Sequence, residues 1–85
     1  MSYVHYELTA GPTDTVQVTV DKQANVLLLD EGNYQSYRNR RGFRYHGGRA
    51  LRSPVNLRPP HSGKWHVVID LGGASGQIRS ACRVI

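Results

Sequence analysis

The chain of 85 residues carries one cysteine, one tryptophan, one phenylalanine and one methionine. A single thiol, Cys82, excludes an intrachain disulfide framework and any cysteine-based zinc module. It fits a reducing compartment. The longest wholly apolar runs, residues 26–29 and 67–69, fall far short of the ~18 residues a membrane span needs. Residues 1–8 hold neither a basic stretch nor an apolar one, so no secretory leader is expected. Internal repeats are absent. The expectation is a soluble, cytoplasmic protein of one small domain over residues 1–85, with a thin core.

Acidic residues are missing from the middle of the chain. Residues 32–69 carry Arg38, Arg40, Arg41, Arg44, Arg49, Arg52, Arg58 and Lys64 with no Asp or Glu, a local +8. Residues 1–31 carry only Lys22 against Glu7, Asp14, Asp21, Asp30 and Glu31, a local −4. Residues 70–85 add Arg79 and Arg83 against Asp70, which leaves the whole at +5. The charge is therefore a positional feature, not a uniform one.

Hydrophobic patterning points to strands. Residues 3–8 alternate in period two, and residues 15–20 do so cleanly, with Val16, Val18 and Val20 on one face. Residues 26–29 are a continuous apolar run between turn signals, as in a central strand buried on both faces. Residues 34–39 place Tyr34 and Tyr37 three apart behind a cap at Asp30 or Asn33, which reads as one short helical turn or a long loop. Residues 43–46 form a short strand stopped by Gly47-Gly48. Residues 50–52 and 55–57 flank Ser53-Pro54 as short or edge strands. Residues 65–71 put Trp65, Val67, Ile69 and Leu71 on one face and His66, Val68 and Asp70 on the other. Gly72-Gly73-Ala74-Ser75-Gly76 reads as a hairpin connection to a last strand over residues 77–85. The whole predicts an all-β, small antiparallel sandwich or barrel of about seven or eight strands. Its core would draw on Val4 or Tyr6, Val16, Val18, Val20, Leu27, Leu29, Trp65, Val67, Ile69, Ile78 and Val84.

Several segments, Tyr3-Val4-His5, Asn25-Val26, Leu29-Asp30, Asn33-Tyr34, Phe43-Arg44-Tyr45-His46-Gly47-Gly48, Ser53-Pro54-Val55 and Gly63 through Gly73, together resemble a small bacterial family catalogued only as domain of unknown function 1883. The resemblance spans essentially the whole chain. It implies a compact β-rich domain, found alone or in front of a Toll/interleukin-receptor-type domain. It implies no catalytic residue, and its fusion context leans toward a sensing or recognition module.

Catalytic signatures are lacking. No Gly-x-Ser-x-Gly elbow is present, and Gly73-Ala74-Ser75-Gly76-Gln77 has no phosphate-cradling lysine. His66 and Asp70, four apart on one strand face, lie ~13 Å from each other and make no dyad. His5, His46, His61 and His66 lack metal-ligand spacing, so neither a metal-assisted hydrolase nor a cofactor is expected. The Arg-rich segment interleaved with Tyr37, Phe43, Tyr45 and His46 has the chemistry of an anion-binding surface, since guanidinium groups fork onto phosphates and aromatic faces stack planar groups. Against this stand two bland readings: a solvated basic rim, and arginines paired with the acids of residues 1–31. A match to the RNA-recognition signature at Arg41-Gly42-Phe43 fails at Arg44, His46 and Gly48. The leading expectation is a non-catalytic recognition module. Arg44, Tyr45, His46, Arg49, Arg52 and His66 would contact an anionic ligand or a nucleic-acid phosphate (a polynucleotide being the less favoured partner), with Gly47 and Gly48 giving clearance. The alternative is a self-associating adaptor domain, a homodimer formed through the edge at residues 55–57 or through Val84-Ile85.

Overall fold

The computed structural model describes residues 3–71 and 77–85. Among them the chain forms β1 (Val4–Ala10), β2 (Val16–Val20), β3 (Ala24–Asp30), α1 (Glu31–Arg38), β4 (His46–Ala50), β5 (Val55–Leu57), β6 (Gly63–Asp70) and β7 (Ser80–Val84). Four strands make one sheet in the order β1-β6-β3-β4, and three make a second in the order β5-β2-β7. Every neighbouring pair is antiparallel. The expected small all-β sandwich is what forms.

The period-two pattern of β2 buries Val16, Val18 and Val20 against the larger sheet, while Thr19 faces outward. From the larger sheet, Val26, Leu28, Trp65, Val67 and Ile69 close this layer. The middle strands β3 and β6 are buried on both faces. Leu27 and Leu29, expected in the core, are buried as part of a second cluster on the outer face with Val68 and Tyr34. The alternation of β3 sends odd and even residues to opposite sides, so one continuous apolar run serves two cores. Val84 is also corrected: it is 40% exposed on edge strand β7, and Ile78 only packs against the core from its margin. Leu51, expected in a short strand at residues 50–52, lies beyond the end of β4 and is exposed.

That second apolar face needs a cover, and α1 supplies it. The helix begins three residues before the expected turn and runs for eight residues. Asp30 caps it, its Oδ1 accepting the Asn33 backbone N–H at 2.8 Å and satisfying one orphan donor of the first turn. Glu31 in the first turn and Arg38 in the last suit the helix dipole. The end is a Schellman arrangement: the Arg41 N–H donates to the Ser36 carbonyl and the Arg40 N–H to the Tyr37 carbonyl. Arg40 takes the left-handed position that glycine usually fills, at φ 56°.

β4 departs most from expectation. Gly47 and Gly48 do not stop a strand; they lie inside one, opposite Leu27 and Val26. Their φ values of 107° and 141° are ones that side chains rarely adopt. A Cβ on Gly47 would run into the Val26 carbonyl oxygen, so the glycine lets β4 approach β3. β5 is an edge strand, as expected beside Pro54. The hairpin connection read at residues 72–76 lies outside the described residues. No helix among the described residues is long and apolar enough to cross a membrane.

Candidate functional site

An open groove of about 570 Å³ lies where α1, the start of β4 and the turn before β6 meet, and Asp30, Asn33, Phe43, Arg44, Tyr45, His46, Pro60, His61 and Trp65 line it over a floor at Leu28. Its frame is hydrogen-bonded. The Arg44 backbone N–H donates to Asn33 Oδ1 at 2.8 Å, which ties the segment before β4 to the first turn of α1. The indole N–H of Trp65 donates to the His61 carbonyl at 3.0 Å, pinning the Pro60-His61 turn over the strand. The His46 and His61 rings both pack on Trp65, with centroids 5.9 and 4.8 Å away. Phe43 connects the groove to Tyr37, and Tyr37 to Tyr3, through edge-to-face contacts. The one acid of the groove, Asp30, has Oδ1 turned to the helix cap.

The residues expected to make one site are spread over the molecule. Arg44, Tyr45 and His46 line the groove. Arg49 is at the far end of β4, where its guanidinium donates to Gln23 Oε1 at 3.2 Å and faces a separate hollow beside Asn25 and Leu71. Arg52 borders a third hollow with Asp21 and Ser53. A Cβ on Gly47 would meet its own sheet neighbour, the Val26 carbonyl, while the space beside Gly48 is open. His66 is buried at 3% exposure on the outer face of β6, under α1. The eight residues resolve into a groove trio and separate outliers.

His66 belongs to a second constellation. β1 and β6 pair so that His5 lies opposite Val68 and Glu7 opposite His66, which makes His5 and His66 diagonal neighbours on the outer face. His5 Nε2 is 2.8 Å from His66 Nδ1, and His66 Nε2 is 3.0 Å from Glu31 Oε1 at the start of α1. The Tyr34 ring lies flat across both imidazoles, 4.3 Å from His5 and 4.2 Å from His66. Its hydroxyl is 3.3 Å from His5 Nδ1 and 3.3 Å from the Tyr3 hydroxyl. A hydrogen bond from the Gln35 amide, then the one from His66, holds the Glu31 carboxyl below its ordinary value, so it is an ionised acceptor. Burial first, then the neighbouring His66, pushes His5 below the usual histidine value, and Tyr34 is pushed up to about 12 mainly by burial. Glu31 can only accept, which sets every other role: His66 donates from Nε2 and accepts at Nδ1, and His5 donates from Nε2. His5 Nδ1 is left as a lone pair.

Among the described residues no arginine side chain lies within 4.0 Å of a carboxylate of the acidic N-terminal part. Among the described residues the basic and acidic side chains within 4.0 Å of each other are Lys64 with Glu7 at 2.9 Å, an ion pair, and His66 with Glu31, where a neutral His66 donates from Nε2. Arg38 lies over the Tyr34 ring, and Arg83 donates to Gln17 Oε1. Asp70, placed too far from His66 for a dyad, accepts instead from the Tyr37 hydroxyl and the Asn25 amide. Burial raises the Cys82 thiol above its ordinary value, which keeps it protonated. The four histidines form two pairs rather than one cluster, and no group of three or more His, Cys, Asp or Glu suited to a metal ion occurs among the described residues.

Sequence reasoning missed Asn33 and His61 as groove residues. Trp65 reads as core from its alternation, and it is core, but its indole edge also anchors the turn that forms the groove wall. The contact of Glu31 with His66 joins residues 35 apart and has no local signature. His5 and His66 meet only because β1 pairs with β6 and not with its chain neighbour β2.

No curated protein and no solved structure matches this chain. A family match does, and it extends from the first residue to the last. Over residues 1–85 the chain matches, and belongs to, the family described as Domain of unknown function (DUF1883).

Proposed function

We propose that the domain is a non-catalytic recognition module whose groove takes a small anionic ligand with a planar portion. The observation that carries this reading is the company of Arg44: among the described residues no carboxylate pairs with it, its backbone is fixed by Asn33, and the rings of Phe43, Tyr45, His46, His61 and Trp65 share its groove. A guanidinium forks onto a phosphate or carboxylate, and the rings offer a flat wall with polar tips. The volume falls within the roughly 300–1,000 Å³ of small-ligand sites. Distribution of Arg44, Arg49 and Arg52 over three separate hollows argues for a local ligand over a polynucleotide track. The resemblance drawn from the sequence supports a sensing role too, since it implies bacterial proteins in which such a domain precedes a Toll/interleukin-receptor-type domain.

The test is a binding screen with nucleoside monophosphates, inorganic pyrophosphate and a short oligonucleotide, followed by Arg44→Ala. The reading expects a salt-sensitive small-molecule ligand whose affinity falls at least about tenfold in Arg44→Ala, a charge-assisted hydrogen bond being worth ~1.5–3 kcal/mol. Unchanged binding in that variant contradicts it. Exposed Val84 at the end of edge strand β7, and Ile85 just beyond it, favour a second reading, self-association through that edge. Sedimentation across protein concentrations decides it, and a monomer throughout rejects it.

A further inference from the structure

The Glu31–His66–His5 chain lies outside the groove, and the recognition role makes no use of it. Its geometry has the logic of a nucleophile activated by an oriented base. A carboxylate holds a buried imidazole in one tautomer, and that imidazole accepts the proton of the group that reacts. Here the third member is a second histidine. With Nε2–H committed to His66 Nδ1 at 2.8 Å, the lone pair of His5 is confined to Nδ1, on an exposed residue of edge strand β1. The Tyr34 ring, flat across both imidazoles, holds them in register. The Tyr34 hydroxyl, which meets Nδ1 at 3.3 Å, has the Tyr3 hydroxyl at the same distance as its other partner, so Nδ1 is released by rotation of one O–H.

We propose that His5 is a phosphoryl-accepting histidine, activated through His66 and Glu31, that reacts at Nδ1 with donors of the phosphoramidate or acyl-phosphate class. The choice of phosphoryl over other electrophiles follows from the charge around the array. Arg38 lies over Tyr34 at 5.9 Å from the ring centroid, pairs with no carboxylate among the described residues, and contributes to lowering His5. A guanidinium without a carboxylate partner is the kind of group that turns toward phosphoryl oxygens, whereas Lys64 is held by Glu7. In the step, the Nδ1 lone pair forms a bond to phosphorus, and the bond from phosphorus to the leaving group breaks with its electron pair. For phosphoramidate that group departs as ammonia. The positive charge that would develop on the His5 ring is relieved as its Nε2 proton passes to His66 Nδ1. His66 becomes an imidazolium beside the Glu31 carboxylate, which stays ionised.

The molecule contains its own controls. His46 and His61 are exposed, and neither has a carboxylate on a ring nitrogen among the described residues. The experiment incubates the whole chain with potassium phosphoramidate at neutral pH and follows acid-labile phosphorylation of each histidine by peptide mass spectrometry. His5 is expected to react at least about a hundredfold faster than His46 and His61, the lower end of what an oriented general base contributes. Glu31→Gln, at a half-exposed position, is expected to bring His5 down to their rate without changing theirs. Equal rates at the three histidines in the unaltered chain overturn the proposal. So does a Glu31→Gln variant in which His5 keeps its advantage, or in which all three rates fall together.

Discussion

His5 Nε2 and His66 Nδ1 face each other at 2.8 Å, while the other nitrogen of His66 meets Glu31 Oε1 at 3.0 Å. One proton separates each neighbouring pair, and the acceptor-only carboxylate at the end fixes which way all of them point. Both rings are therefore expected to be Nε2–H tautomers at pH 7.5. Long-range ¹H–¹⁵N correlation spectra of the imidazoles check this directly. An Nδ1–H tautomer at His66 is incompatible with the arrangement.

The same array gives stability a pH dependence whose sign can be worked out. His5 is held below 6.5 by burial and by His66, with Arg38 adding to the shift and Glu7 and Glu31 opposing it, while Tyr34 covers its face. Between the unfolded and the lowered folded value, the unfolded chain binds the proton first, so stability falls as the pH drops through this window and levels off below it. Glu31 and Glu7, held below 4.5, extend the loss to still lower pH as they protonate. The thermal midpoint is expected to fall between pH 7.5 and 5. His5→Gln is expected to flatten the slope near pH 6 specifically. An equal slope in that variant assigns the dependence elsewhere.

Gly47 is expected to be the least replaceable glycine described. Gly47→Ala combines a positive φ with a Cβ pressed on the Val26 carbonyl oxygen. The backbone strain alone costs about 1–3 kcal/mol. Gly42→Ala, with nothing within 4 Å, is expected to change stability by less than about 0.5 kcal/mol. Urea unfolding of the two variants measures the contrast, and similar values would show that β4 does not need the close approach.

Asp30 links helix and groove. Its Oδ1 accepts from both the backbone N–H and the side-chain amide of Asn33, whose own Oδ1 accepts from Arg44. Asp30→Ala is expected to cost about 1 kcal/mol for the lost cap. It is also expected to broaden or shift the Arg44 amide resonance. Asp30→Ser, which can still cap, should recover most of the stability. A silent Arg44 amide in Asp30→Ala would separate the helix cap from the groove.

Legibility in the sequence followed the range of the interactions. The alternation of Val16, Val18 and Val20, and the unbroken run into Leu29, are local patterns, and the strands they announce are the strands that form. Leu27 and Leu29 were legible as buried but not as belonging to a separate core, because that depends on a helix covering the outer face. Gly47-Gly48 read as a stop since glycine commonly ends strands, whereas here the bare backbone admits a neighbouring strand. Arg44, Tyr45 and His46 are contiguous and stay together in the groove. His61 joins them through a turn pinned by Trp65, and Arg49 leaves them because two more residues carry it along the strand. The histidine array required the non-consecutive pairing of β1 with β6, which no local pattern encodes.

The central claim is that the groove beside Arg44 is where an anion is recognised. Its most direct test is a ¹H–¹⁵N correlation titration with a nucleoside monophosphate or pyrophosphate at low and moderate salt, using the single indole N–H of Trp65 as the reporter. The account predicts saturable, salt-sensitive shifts of the Trp65 indole and of the amides of Phe43 through His46 and of His61, abolished in Arg44→Ala. Shifts confined to the Arg79 and Arg83 side of the molecule, or persistence of the Trp65 shift in that variant, would contradict it.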